Sequence, residues 1–230
     1  MTSPILETML PAHFDAIKLI WRPEPHTIRR VVGTLCRSGE SYSFCYDGAD
    51  LEVARSLGFR GYPGMGEFDK TYNGQAMSAF SSRLPSRDRT DIDRLLSGWG
   101  ANSQMDDFET LGLTFGRLPT DMYEFIPVIK PLPGTSFYSD LAGLQNYSES
   151  EAFRTLPPGS PLDLVHNAAN EFDPHAVQVM HLGNQVAHVK RIHCESVYQA
   201  MQAGLKVSCE LVRVRPNGII KEAIVEIAYS

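Results

Sequence analysis

Residues 167–191 read NAANEFDPHAVQVMHLGNQVAHVKR, and the reading of this stretch decides the fold of the C-terminal part of the chain. Asp173 followed by Pro174 favours an extended or turned backbone that carries the carboxylate outward. Ala176-Val177-Gln178-Val179-Met180 then partly alternates apolar and polar side chains. Leu182-Gly183-Asn184-Gln185 supplies hairpin-type turn residues before a second apolar run, Val186-Ala187-His188-Val189. The spacing predicts two antiparallel strands, with Phe172-Asp173 at one end and His188 to Arg191 at the exit of the other strand. A flat aromatic, a carboxylate, an imidazole and two cations then share one surface. Such a set suits a nucleotide: the ring stacks on a base, Lys190 or Arg191 neutralises a phosphate, and Asp173 accepts a hydrogen bond from a sugar hydroxyl. The competing reading makes Asp173 a turn cap, Phe172 a core residue and the basic pair a solvated strand end. Strand geometry adds a condition. His188 and Lys190 share one face, and Arg191 reaches it only if the strand ends and turns at Lys190.

The same stretch resembles the HIRAN domain. The residues that carry the resemblance are Asn170 in an Asn-rich turn, the aromatic–acid pair Phe172-Asp173, His175-Ala176-Val177, and Ala187-His188-Val189-Lys190-Arg191. His175 stands where the family usually has Asn, and Ala187 where it usually has Gly. The resemblance spans Phe137 to Ser230 and implies binding of single-stranded DNA at a free 3′ end. In that reading Asp173 contacts the terminal hydroxyl, Phe172 stacks on a terminal base, and His188 with Arg191 holds phosphates. The family's first strand often contributes a second stacking aromatic just before a Gly. This chain has Tyr138-Ser139-Asp140-Leu141-Ala142-Gly143 there, so that ring comes from Tyr138 or is absent.

The N-terminal part has a different character. Ala16–Trp21, Thr27–Leu35 and Tyr42–Tyr46 read as three antiparallel strands, followed by a Gly/Pro loop at residues 58–66. Pro85-Ser86 suits a turn entering a helix, and Ile92, Leu95, Leu96 and Trp99 recur at helical spacing behind the charge run Arg83 to Arg94. That run reads as a helix cap with a salt-bridged face, or alternatively as an extension of a phosphate-binding surface. Val32-Gly33-Thr34-Leu35, the Tyr42/Phe44/Tyr46 alternation, Tyr62-Pro63, Phe80 with Leu84-Pro85, and Trp99-Gly100 are similar to the small N-terminal subdomain of HipA-type proteins, over Ile17 to Phe125. That resemblance implies a module acting on a kinase partner, hence a protein–protein interaction role in a HipA-like regulatory or toxin–antitoxin assembly. The large kinase core has no room in this chain.

Composition bounds these readings. A chain of 230 residues that is 43% hydrophobic can hold two modest domains or one large one. The Pro-rich stretch from Ile126 to Gly134 marks the division, so we expect an α+β fold, mainly antiparallel β, with domains at 1–126 and 136–230 and a linker at 127–135. The C-terminal domain is expected to be a HIRAN-like β-barrel with one or two helices. A net charge of −6 argues against a protein that coats nucleic acid nonspecifically, whereas an end-specific binder needs fewer phosphates. Basic residues do recur in the C-terminal half: Lys190, Arg191, Lys206, Arg213, Arg215 and Lys221.

Cys36, Cys45, Cys194 and Cys209 have neither zinc-type spacing nor a disulfide framework and read as thiols of a reducing compartment. His193, beside His188 and Cys194, is the one grouping that raises the question of a metal, but a carboxylate or second thiol at ligand spacing is missing. No cofactor is expected. No apolar run is long enough to span a membrane, and residues 1–21 lack the pattern of a signal peptide, which points to the cytoplasm. Neither GxSxG nor HExxH occurs, and Gly112–Arg117 lacks the Gly-Lys-Ser/Thr ending of a phosphate loop. The expected role is therefore a non-enzymatic DNA-binding adaptor, with a helicase, nuclease or kinase as its protein partner.

Overall fold

A computed structural model describes residues 10–25, 27–147, 153–217 and 219–230. The chain divides into two units: Phe14–Val128, and a second that joins the segment ending at His13 to Ile129–Ser230. The division between Val128 and Ile129 falls in the Pro-rich stretch. The N-terminal edge differs from the sequence expectation of a first domain beginning at residue 1. Strand β1 (Leu10–Pro11) pairs in parallel with Thr135–Ser136, and the Ala12 N–H donates to the Ser136 carbonyl at 2.7 Å. Backbone pairing therefore assigns Leu10–Ala12 to the second unit. The 127–135 stretch is also tied down at both ends, by Val128 N–H to the Ala16 carbonyl (2.8 Å) and Gly134 N–H to the Tyr229 carbonyl (2.7 Å).

Within Phe14–Val128, β2 (Ala16–Trp21), β3 (Arg30–Ser38), β4 (Ser41–Cys45), β5 (Tyr72–Asn73) and β6 (Tyr123–Pro127) form an antiparallel sheet ordered β5-β4-β3-β2-β6. Four short helices accompany it: α1 (Leu51–Ser56), α2 (Ala76–Ala79), α3 (Ile92–Ser97) and α4 (Asp107–Leu113), the last opened by a reciprocal Asp106/Glu109 capping box. The core is aromatic, with Phe44, Phe59, Phe80, Phe108 and Phe125 fully buried. Arg83, the first residue of the charge run, is buried in that core. Its guanidinium donates to Tyr62 Oη (2.7 Å) and the Gly116 carbonyl (2.9 Å), pairs with Asp121, and lies over the Tyr62, Tyr123 and Phe125 rings. Arg87 pairs with Asp107, and Arg89 and Arg94 both reach Asp91. The run is thus a salt-bridged face with one arginine turned inward.

The second unit contains β7 (Thr135–Asp140), β8 (Pro161–His166), β9 (Val177–His181), β10 (Asn184–His188), α5 (Arg191–Gln202), β11 (Val207–Asn217) and β12 (Ile219–Tyr229). Among the described residues these strands join β1 in one sheet ordered β1-β7-β12-β11-β8-β9-β10, antiparallel except at β1. Period-2 alternation puts Phe137, Leu162, Val177, Val179, Cys209, Leu211 and Ile227 inward. Helix α5 presents His193, Cys194, Val197 and Ala200 as its buried face. His193 lies edge-on to Phe137, and its Nδ1 is 2.9 Å from Ser139 Oγ. The expected hairpin is present as β9–β10, with Leu182 and Gly183 at its tip in left-handed conformations. Beyond it the edge turns back. His188 and Ala142 exchange both backbone hydrogen bonds (2.8 and 2.9 Å) in an isolated antiparallel bridge just past β7. The architecture is α+β with mostly antiparallel sheet and few helices.

Candidate nucleic-acid interface

The turn between β8 and β9 is built from side-chain caps. Asn170 Oδ1 accepts the N–H groups of Phe172 and Asp173, both at 2.9 Å, and Asp173 Oδ1 accepts the His175 N–H at 2.9 Å. The backbone closes around them, from Ala176 N–H to the Asp173 carbonyl (3.0 Å) and from Asn167 N–H to the Ala176 carbonyl (2.8 Å). With its donors satisfied internally, the turn holds Phe172 with 89% of its surface exposed. Phe172 is therefore not a core residue. Asp173 caps the turn through one oxygen while remaining only partly buried.

The turn is braced against α5. His166 Nε2 lies 2.8 Å from the Pro174 carbonyl, which can only accept, so this nitrogen carries the proton. Tyr198 of α5 packs against both histidines, with ring centroids 4.5 Å from His166 and 4.9 Å from His175, the latter stacked at 26°. His175 thus fastens the turn to the helix.

At the exit of β10 the chain turns. Lys190 has φ −59° and ψ 131°, and Arg191 begins α5, exposed in its first turn. The condition for Arg191 to leave the strand is met. Asp173 and Arg191 lie close enough to act with opposite sign on the thiol of Cys194, whose pKa is pushed up to about 12, mainly by burial. Lys190 departs from the expectation that it reaches a phosphate. It is 4% exposed, and its ammonium donates to Asp140 Oδ1 at 2.8 Å. A buried ion pair orders the junction of β7, β10 and α5 instead of facing a ligand.

His188 lies two residues earlier on the same face, with Tyr147, Gln178 and Gln185 around it. Burial lowers its pKa below the ordinary histidine value. Tyr138 occupies another part of the sheet. It stands opposite Glu226 of β12, and its phenol pKa is raised by burial and by Glu226 against the opposing influence of Arg213. The structure therefore brings Asn170, Phe172, Asp173 and Arg191 to one end of the unit, with Lys190 beneath the surface and His188 one step along. It does not bring Tyr138 to the turn. The side chains of Arg215 and Lys221 lie outside the described residues.

Sequence reasoning missed Tyr147 and Tyr198 because their partners come from distant segments, and Gln178 and Gln185 because glutamines in a hairpin are ordinarily solvated. Among the described residues no group of three or more His, Cys, Asp or Glu side chains could hold a metal ion. No helix among them is long and apolar enough to cross a membrane.

No family model and no curated protein matches the chain. Among solved structures, the HIRAN domain of human HLTF is similar over 41% of this chain and 74% of that one, at 18% identity and a TM-score of 0.35. A protein from Lactobacillus plantarum is similar over 39% of this chain and 89% of its own, at 16% identity and a TM-score of 0.34. These comparisons give no support to the HipA resemblance of residues 17–125.

Proposed function

We propose that the unit built on β7–β12 binds single-stranded DNA at a free 3′ end, as a non-enzymatic adaptor. The observation that carries this reading is Phe172, 89% exposed on a turn whose caps fix it beside Asp173, with the Arg191 cation at the start of α5. An exposed phenylalanine held by its own backbone is a ready base-stacking platform, and each such stack is worth about 1–3 kcal/mol. Asp173 accepts the terminal hydroxyl and Arg191 neutralises a phosphate. The Ala142–His188 bridge and the Lys190–Asp140 pair beside it support a further reading of the sheet as a closed barrel. The four cysteines are free, which suits a reducing compartment such as the cytoplasm.

A second reading concerns Phe14–Val128. Val53 and Leu57, four residues apart along α1 and its C-cap, are both exposed, as a protein-contacting stripe would be. That unit then serves as the adaptor's contact to a helicase, nuclease or kinase.

The test is fluorescence anisotropy on single-stranded oligonucleotides with free and phosphate-blocked 3′ ends. The free end is expected to bind more tightly, and Asp173→Ala to reduce this preference more than total binding. Absence of binding at low salt overturns the reading.

A further inference from the structure

One polar cluster of this unit has no part in the contacts assigned above. Gln178 Nε2 donates to Gln185 Oε1 at 3.0 Å. That bond orients the Gln185 amide, whose nitrogen then lies 2.8 Å from Tyr147 Oη, 3.0 Å from His188 Nε2 and 3.4 Å from the Ala187 carbonyl. An amide nitrogen only donates, so His188 Nε2 must accept and carries no proton. The imidazole proton therefore sits on Nδ1, 3.2 Å from Tyr147 Oη. His188 is the neutral tautomer with both nitrogens engaged. Protonating it would set an imidazolium N–H against the Gln185 N–H.

We propose that Tyr147 is a second nucleobase-contacting ring of this interface, and that His188 is its positioning residue instead of a phosphate ligand. The proposal rests on the single-strand-binding reading above. Tyr147 follows the 3-10 turn Leu144–Asn146, which starts from Gly143 in the left-handed region at φ 74°. The ring is partly buried and tilted against the His188 ring at 5.7 Å, while its hydroxyl end takes bonds from Gln185 and His188. A ring fixed at its tip loses little further freedom when a base stacks on its face, the condition under which tyrosine binds well. Gly143 lines this corner: a Cβ there would stand at ordinary van der Waals distance, 3.6 Å from His188 Nδ1 and 3.7 Å from Tyr147 Cε2. Among the described residues the titratable groups around His188 include Tyr147 and, one rung along the strand, the Asp140–Lys190 pair, whose charges already oppose each other. His188 pairs with Gln178 at the start of β9, the strand into which the Phe172 turn leads. Tyr147 thus meets a nucleotide internal to the one on Phe172. Its ligand is an uncharged planar base, taken without regard to sequence.

The test uses the full chain and oligo-dT with a free 3′ end. Tyr147→Ala is expected to weaken binding roughly 5- to 150-fold with an unchanged salt slope, the cost of one stacked base. Tyr147→Phe keeps the ring but frees its tip from Gln185 and His188, and is expected to bind between wild type and Tyr147→Ala. Affinity of wild type and His188→Gln is expected to show the same flat profile from pH 8 to 6. A phosphate-binding imidazolium would instead tighten wild-type binding on acidification and lose that gain in His188→Gln. Photo-crosslinking of wild type with 5-iodouracil placed internal to the terminal nucleotide needs no variant and is expected to label Tyr147. Wild-type affinity in Tyr147→Ala, labelling only elsewhere, or a pH gain abolished in His188→Gln overturns the proposal while leaving 3′-end binding intact. Failure of wild type to bind any single strand removes both.

Discussion

At the scale of single residues, the two ends of the interface contribute different physics. If Arg191 touches a phosphate as proposed, removing it deletes a counterion-releasing contact, so Arg191→Ala is expected to weaken binding to all sequences alike and flatten the plot of log affinity against log salt by about 0.7. Phe172→Ala is expected to weaken binding with little change of slope, because stacking releases few ions. Salt titrations of the three proteins separate the cases, and equal slopes for wild type and Arg191→Ala would mean that Arg191 touches no phosphate. His188 gives a second expectation. Its pKa is lowered in the folded chain, so the folded state takes up its proton less readily than the unfolded one. The resulting stability is present above the unfolded value near 6.5 and is lost as pH falls through the lower folded value. Urea midpoints measured from pH 7 to 5 are expected to fall more steeply for wild type than for His188→Gln. The turn that carries Phe172 and Asp173 was legible because its caps join residues two or three apart. The sequence hid Lys190, because a lysine at a strand end is ordinarily solvated and its partner Asp140 lies 50 residues away.

At the scale of elements, two contacts fix the interface to its frame. The buried Lys190–Asp140 pair joins the end of β7 to the start of α5. Removing one partner leaves the other charge buried, so Asp140→Ala is expected to cost about 3–5 kcal/mol in urea denaturation. Replacing both by apolar residues is expected to recover most of that loss. The Tyr198 clamp is a milder restraint. Tyr198→Ala is expected to speed hydrogen exchange at the Phe172 and Asp173 amides while Tyr198→Phe leaves it unchanged, since the contacts to His166 and His175 are made by the ring. Unchanged exchange in Tyr198→Ala would show that the Asn170 and Asp173 caps suffice alone. Elements were legible wherever pattern is local. β2, β4 and the β9–β10 hairpin follow alternation and turn chemistry closely, and β3 starts at Arg30, three residues later than the pattern suggested. Register was not legible. The shifts at Gln185/Ala187 and Leu211/Arg213 follow from packing across strands that no single segment specifies.

At the scale of the whole molecule, the division at the Pro-rich stretch was legible because proline interrupts both helix and sheet pairing. What was not legible is the return of the N-terminal segment to β7 through a two-residue strand too short to leave a periodic trace. Residues 14–128 have their own sheet and aromatic core, so this segment expressed alone is expected to unfold in one cooperative transition with near-ultraviolet dichroism from its packed aromatics. A broad, non-cooperative melt would mean that the two units fold as one.

The discontinuity of the second unit bears on ancestry. The β2–β6 pairing, from Ile17–Pro127 to Trp21–Tyr123, with Val128 bonded to Ala16, puts the two ends of the Phe14–Val128 unit side by side. A segment with adjoining ends can enter or leave a host chain as a cassette, since its removal leaves a gap that a short turn closes. The host's interrupted connection runs between β1 and β7, at the sheet edge farthest in strand order from the β8–β9 turn that carries Phe172. Recombination at that point exchanges one guest for another while leaving the β8–β9 connection intact, giving related hosts different guests on a common frame.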